Sequence, residues 1–469
     1  MTIGIKGAPS GAHRQMSLVR KVVILGAVSL VAAGCSSSST SAGGGSTGSA
    51  APSSSAQVSV VQPPAAQSSA GPSSAGQSSS GRSSTAPGAG SDPFATPKAA
   101  TGTPVVFGVL NLESGPVTFP EVVLAEQAAV KYLNEYRGGI GGHPIKLVSC
   151  ATDGQPSTSA RCANQIADQK PVAILGGADT GAPGAIPVWT RANLAYLGGV
   201  PFTPLEQNYA NSMIFSSVAT ADNAAVSVYA VKNLGVKSMA IIYTSDTQGT
   251  NTAEHVLIPT LANLGVTSVT KVAIPPTSSD VASAVATAVA ANPDGIFVDA
   301  PAACPAILSS LKQLGSTSKL FGLDLCASPQ AIAGANGGAD GLYYGGPVLG
   351  LGANTADTNL YLAALKKYAP ADIALDSLSA IGFQTVMNVQ AALAKFSTSD
   401  LTTAKIIAAF RAGKDVPNFM GHPYTCDGRQ LPGATAICNS YQQIFQVKGK
   451  SVAPASTEWV TAGTYYKAG

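Results

Sequence analysis

The chain has 469 residues, a formal net charge of +3 and only 11% charged side chains, so it is long enough for two or three domains. A charge so small, with no clustered basic face, excludes a nucleic-acid partner. Abundant Gly and Ala, beside a charged fraction less than half the usual ~25%, point to a low-complexity portion within an otherwise globular chain.

In chain order the first signal is an export segment. Arg20 and Lys21 precede an apolar run from Val22 to Val31, and the small residues Ala32, Ala33 and Gly34 lead directly into Cys35. A basic flank, a run too short to span a bilayer and a small-residue cleavage site are the parts of a signal peptide. Small residues followed at once by cysteine resemble the bacterial lipobox. That resemblance implies that residues 1–35 are a lipoprotein signal and that Cys35 carries a diacylglyceryl group with acyl chains such as palmitate. The protein is then expected on the outer face of the cell membrane. Residues 36–102 are almost entirely Ser, Gly, Ala, Thr, Pro and Gln, with Phe94 the lone aromatic, and such a composition predicts a disordered linker.

From residue 104 strands and helices alternate. The β-branched run Val105–Leu110 predicts a buried strand, and Val122, Ala125, Ala129, Val130 and Leu133 mark one face of a helix over 121–136. Strands are expected at 145–149, 172–175 and 195–197, with helices near 157–168 and 186–192. A second series follows, with strands at 238–243, 268–274, 295–298 and 319–323 separated by helices. Two such series predict two α/β lobes, each a doubly wound parallel sheet. Three helical stretches, 355–368, 378–396 and 402–412, have no partner strands of their own and must complete a lobe begun earlier. Strand-like segments at 441–447 and 456–460 end the chain.

Chemistry-bearing motifs are sparse. Four histidines stand far apart, without a metal-binding spacing, so no metal and no cofactor is expected. The SxxK match Ser309–Lys312 lies in an ordinary amphipathic helix and lacks its companion motifs, so no enzymatic activity is expected. Beyond Cys35 six cysteines remain: Cys150, Cys162, Cys304, Cys326, Cys426 and Cys438. An even number in an exported domain reads as disulfides, and nearest-neighbour pairing is the simplest of about 15 connectivities.

Residues 104–469 resemble a type I periplasmic binding protein of the branched-chain amino acid receptor family, the solute-binding component of ABC importers. The resemblance is carried by Val105–Val109 with Ser114-Gly115-Pro116, Gly138-Gly139-Ile140 with His143-Pro144-Ile145, Asp153, Ala240–Tyr243 before Gly249, and Pro293-Asp294 before a buried strand. It implies two lobes, 103–217 with 347–423 and 218–346 with 424–469, joined by crossovers near Ser217, Pro347 and Pro423. A small polar solute, an amino acid or a related amide or amine, is then expected in the cleft of a monomer that meets ABC permease subunits. The same fold also serves sensing or surface-interaction lipoproteins.

Placed on the family's pattern, Asp179 and Thr180 fall on the loop that holds a ligand carboxylate. Thr180 suits that role, whereas an aspartate repels a second carboxylate and can instead cap the next helix. Phe202 and Thr203 occupy the next loop, with Phe202 as an aromatic wall, and Phe119 is either a further pocket residue or a core one. Gln248 and Asp324 face them from the second lobe, and Asp324 corresponds to the acid that pairs with a ligand ammonium. The resemblance also gives the cysteines places: Cys150–Cys162 in the first lobe, Cys304–Cys326 near the pocket and Cys426–Cys438 at the last crossover.

Overall fold

The computed structural model describes residues 92–115, 117–217, 220–278 and 280–467. The export segment, Cys35 and the linker up to residue 91 lie outside the described residues. Two parallel-dominated α/β sheets form the two lobes.

The first sheet contains β1 (Val105–Leu112), β2 (Ile145–Thr152), β3 (Ala173–Gly176), β4 (Tyr196–Leu197) and β5 (Ser212–Met213), all parallel, in the order β2-β1-β3-β4-β5. Side chains alternate across it as a strand requires. Ala173 and Leu175 join one core, against helices Pro120–Tyr136 and Ser377–Leu393, while Ile174 joins Trp189 and Ile166 on the other face. The helices predicted after residue 355 thus complete this lobe. Helix Ser377–Leu393 starts at a capping box in which Asp376 accepts from the Ser379 amide at 2.9 Å.

The second sheet contains β6 (Ser238–Thr244), β7 (Ser268–Ile274), β8 (Gly295–Asp299), β9 (Lys319–Gly322) and β10 (Tyr343–Gly346), in the order β7-β6-β8-β9-β10. That is the winding of the first sheet repeated. Ala240 and Ile242 of β6 face one core, and Met239, Ile241 and Tyr243 the other. A short hairpin, β11 (Val416–Asn418) with β12 (Gly421–Tyr424), belongs to the first lobe. The final strands β13 (Gln442–Lys448) and β14 (Ser451–Val460) then extend the second sheet antiparallel beside β10.

Two boundaries differ from the sequence reading. Residues 92–102, assigned there to the linker, lie on the first lobe. Phe94 packs edge-on against Tyr132, Tyr136 and Tyr368, and the amides of Lys98 and Ala100 donate to Glu135 and Asn134 carbonyls. A single aromatic in a Ser/Ala-rich stretch carries too little weight to alter a composition-based reading, yet one ring suffices when a ring cluster awaits it. The third crossover lies near Asn439–Tyr441 instead of Pro423. Tyr424, Cys426 and Cys438 are buried in the first lobe's core, and Ile437 pairs with Ile214 beyond β5. The disulfides are Cys150–Cys162, Cys304–Cys326 and Cys426–Cys438.

Candidate functional site

In sheets wound in this order the strand sequence reverses between β1 and β3, and likewise between β6 and β8. Loops diverge at those points and leave a crevice at the carboxyl ends of the strands. In the first lobe the crevice is edged by 113–115, 117–119 and 177–181, and by the loop after β4. Gly199, at φ +78°, makes that last loop possible, because a Cβ there would lie 2.3 Å from the Gly176 backbone. The Gly199 amide donates to Thr385 Oγ1 at 2.9 Å, which fixes the turn that presents Val200–Thr203.

Phe119 is buried in the first lobe's core, and the half-buried Phe202 stacks on it, with centroids 5.6 Å apart and planes 28° from parallel. The structure thus joins two residues that the sequence placed separately. Thr203 is committed elsewhere: its hydroxyl and amide both donate to Glu206 Oε2 at 2.9 Å, forming a capping box. Asp179 is buried inside the lobe. Its Oδ1 accepts from Thr152 Oγ1 at 2.8 Å and from the Gly181 amide at 3.1 Å, and its Oδ2 accepts from Ser159 Oγ at 2.6 Å. It therefore organises the loop before helix Ala182–Arg191 without capping that helix, whose N-cap is Gly181 and which has no side-chain cap bond. Thr180 beside it is exposed, and its hydroxyl reaches only the Gly154 carbonyl, at 3.5 Å.

In the second lobe Gln248 is exposed in the first turn of helix Thr247–Asn251. Asp324 follows β9, half-buried, with Oδ1 accepting from the Leu325 amide at 2.7 Å. Its Oδ2 accepts from Ser377 Oγ at 2.5 Å. Ser377 opens a helix of the first lobe, so this bond crosses between lobes. Leu325 follows Asp324 across and packs on the first lobe's core.

The structure adds acids that the sequence reading missed. Asp299 ends β8 at the second lobe's reversal point; it is 5% exposed and its Oδ2 has no hydrogen-bond partner. Asp222, in the first turn of helix Thr220–Lys232, is equally buried, with Oδ1 unpartnered. Glu121 stands in the first turn of helix Pro120–Tyr136. Burial raises the pKa of all of these, and like charge adds to it: Asp376 acts on Glu121 and Asp324, Asp324 on Asp222, and Asp246 on Asp299. Glu121 and Asp299 are each pushed up to about 7. The four ion pairs among the described residues involve solvent-exposed side chains and none of these acids. A strand-terminal aspartate such as Asp299 was the available signal, because carboxyl strand ends are where such sites form.

A family model described as periplasmic binding protein matches residues 104–439. No curated protein matches the chain by sequence. Among solved structures, a leucine-binding protein from Thermotoga maritima is 19% identical with a TM-score of 0.62, over 77% of this chain and 99% of that one. A branched-chain amino acid transporter substrate-binding protein from Streptococcus pneumoniae, in complex with isoleucine, is 17% identical with a TM-score of 0.62, over 76% and 100%. A fatty acid ABC transporter substrate-binding protein from Thermomonospora curvata is 16% identical with a TM-score of 0.65, over 78% and 95%. At these identities the structures share the fold, while the family match spans well over half of the sequence. The chain belongs to the periplasmic binding protein family.

Proposed function

We propose that this chain is an extracytoplasmic solute-binding lipoprotein. In this reading it captures a small polar solute with an amine, either an amino acid or a related amine, between its lobes and delivers it to ABC permease subunits. It performs no catalysis. The acylated Cys35 holds it at the outer face of the membrane, and the linker gives the lobes reach.

The observation that supports an amine is a set of acids without bases. Asp324 and Asp376 stand on opposite lobes, Asp222 and Asp299 are buried in the second lobe, and among the described residues no Lys or Arg pairs with any of the four. A buried carboxylate is costly unless it is neutralised or met by a cation, and a solute ammonium supplies that cation. The neighbours are named for solutes as different as leucine and a fatty acid, so the fold does not select the solute. The carboxylates do.

The test is thermal unfolding of the full chain, disulfides intact, against amino acids, amides, monoamines and polyamines. An amine-bearing solute is expected to raise the midpoint in proportion to log concentration, and Asp324→Asn is expected to abolish the rise. A folded protein indifferent to every amine in the panel overturns this reading.

A further inference from the structure

A partly open cavity of about 460 Å³ adjoins Asp324. Thr180, Phe202 and Gln248 do not line it. Its walls come from the segment after β9, the second crossover at 348–353, the start of helix Ser377–Leu393 and the β13–β14 hairpin. Most of the lining is apolar, with Leu325, Ile332, Leu349, Leu378, Phe445 and Pro454 as the larger contributors. Its acidic groups are Asp324 and Asp376, one from each lobe, and Ser377 between them bonds to Asp324. Lys450 is exposed and pairs with neither carboxylate. Because both lobes supply walls, the space is formed only while the lobes are together.

We propose that this cavity receives the apolar body of an amphipathic amine whose ammonium lies between Asp324 and Asp376. The inference rests on Asp324 being a solute contact, as argued above, and narrows the solute to a cation carrying a hydrocarbon or aromatic portion. The volume is in the range of small-molecule sites, which are mostly apolar with a few convergent polar groups. Each oxygen of Asp324 accepts one hydrogen bond from the protein and has room for a second. Asp376 uses Oδ1 for its helix cap, which leaves Oδ2 to the solute. A fatty acid fits the apolar walls equally well, but its carboxylate would stand beside two others and be repelled. A diamine satisfies the carboxylates and wastes the apolar walls on its second charge.

The experiment is isothermal titration of the full chain, disulfides intact, with straight-chain monoamines from butylamine to octylamine. Butanoate, octanoate and 1,8-diaminooctane serve as comparisons. Affinity for the monoamines is expected to rise roughly fourfold per added methylene until the cavity is full, with octanoate not bound. Val452→Trp on β14, or Pro454→Trp on the same face of that strand, fills the cavity from the strand side. Either is expected to erase the chain-length dependence while butylamine still binds. Equal affinity at every length overturns the cavity assignment and leaves the amine reading standing. Octanoate binding as well as octylamine overturns the charge assignment. Amino acids binding while no monoamine does overturns this inference alone, whereas a folded protein that binds no amine-bearing solute at all defeats the reading on which it rests.

Discussion

A carboxylate shut away from water stays neutral or finds a cation, and several residues here face that choice. Burial first of all pushes Glu121 and Asp299 up to about 7 and Glu206 up to about 8, from ordinary values of 4.5, 3.8 and 4.5. Between roughly pH 4 and pH 8 the native protein retains protons that the unfolded chain has released, so stability falls as pH rises. The exposed Asp400, held down to about 2 by Lys405 and Ser397, acts oppositely but below that window. The ligand-free protein is therefore expected to melt at a higher temperature near pH 5 than near pH 8. Asp299→Asn, which removes one such group, is expected to flatten the slope. Differential scanning calorimetry across this range checks both, and a midpoint that climbs with pH would contradict the assignment. A bound amine is expected to offset the alkaline loss, since it favours the charged form of the acids it meets.

At the level of elements, the segment 92–102 ahead of β1 is held by one side chain more than by any other. Phe94 inserts among Tyr132, Tyr136 and Tyr368, and the Lys367 ammonium lies 4.6 Å from its ring centroid. Phe94→Ala is expected to cost about 1–2 kcal/mol for a half-buried ring and to release 92–102 to proteases, as limited proteolysis would reveal. Cleavage unchanged from the parent would mean that the amide bonds of Lys98 and Ala100 hold the segment alone. The buried Cys426–Cys438 bridge closes a shorter span, with 12 residues of separation. Cys426→Ser with Cys438→Ser is expected to lower the denaturant midpoint by an amount corresponding to about 3 kcal/mol. These elements also show what the sequence makes legible. Strands β1 and β6 were visible because their β-branched runs are buried on both faces, and nearest-neighbour pairing of the cysteines was the simplest of the open connectivities. Phe94 and Asp222 were not visible. Their roles depend on what stands opposite them in space, and neither periodicity nor spacing carries that. Asp179 was misplaced for the same reason, because its partners Thr152 and Ser159 lie on β2 and the next helix.

For the whole molecule the decisive quantity is the balance between open and closed lobes. Three crossovers permit the lobes to move, and a solute can shift the balance only through contacts that the closed form alone provides. The Ser377–Asp324 hydrogen bond joins the two lobes within the protein itself. A hydrogen bond to a charged group contributes about 1.5–3 kcal/mol, which changes an open-to-closed ratio by roughly ten- to a hundredfold. Ser377→Ala removes the bond while leaving the capping box of Asp376 and Ser379 intact. It is therefore expected to open the ligand-free protein without loosening either lobe. Small-angle scattering should then show a larger radius of gyration for Ser377→Ala than for the parent, with unchanged far-ultraviolet circular dichroism. Identical scattering would mean that Leu325 packing on the first lobe holds closure without this bond, and Leu325→Ala would become the variant that opens the cleft.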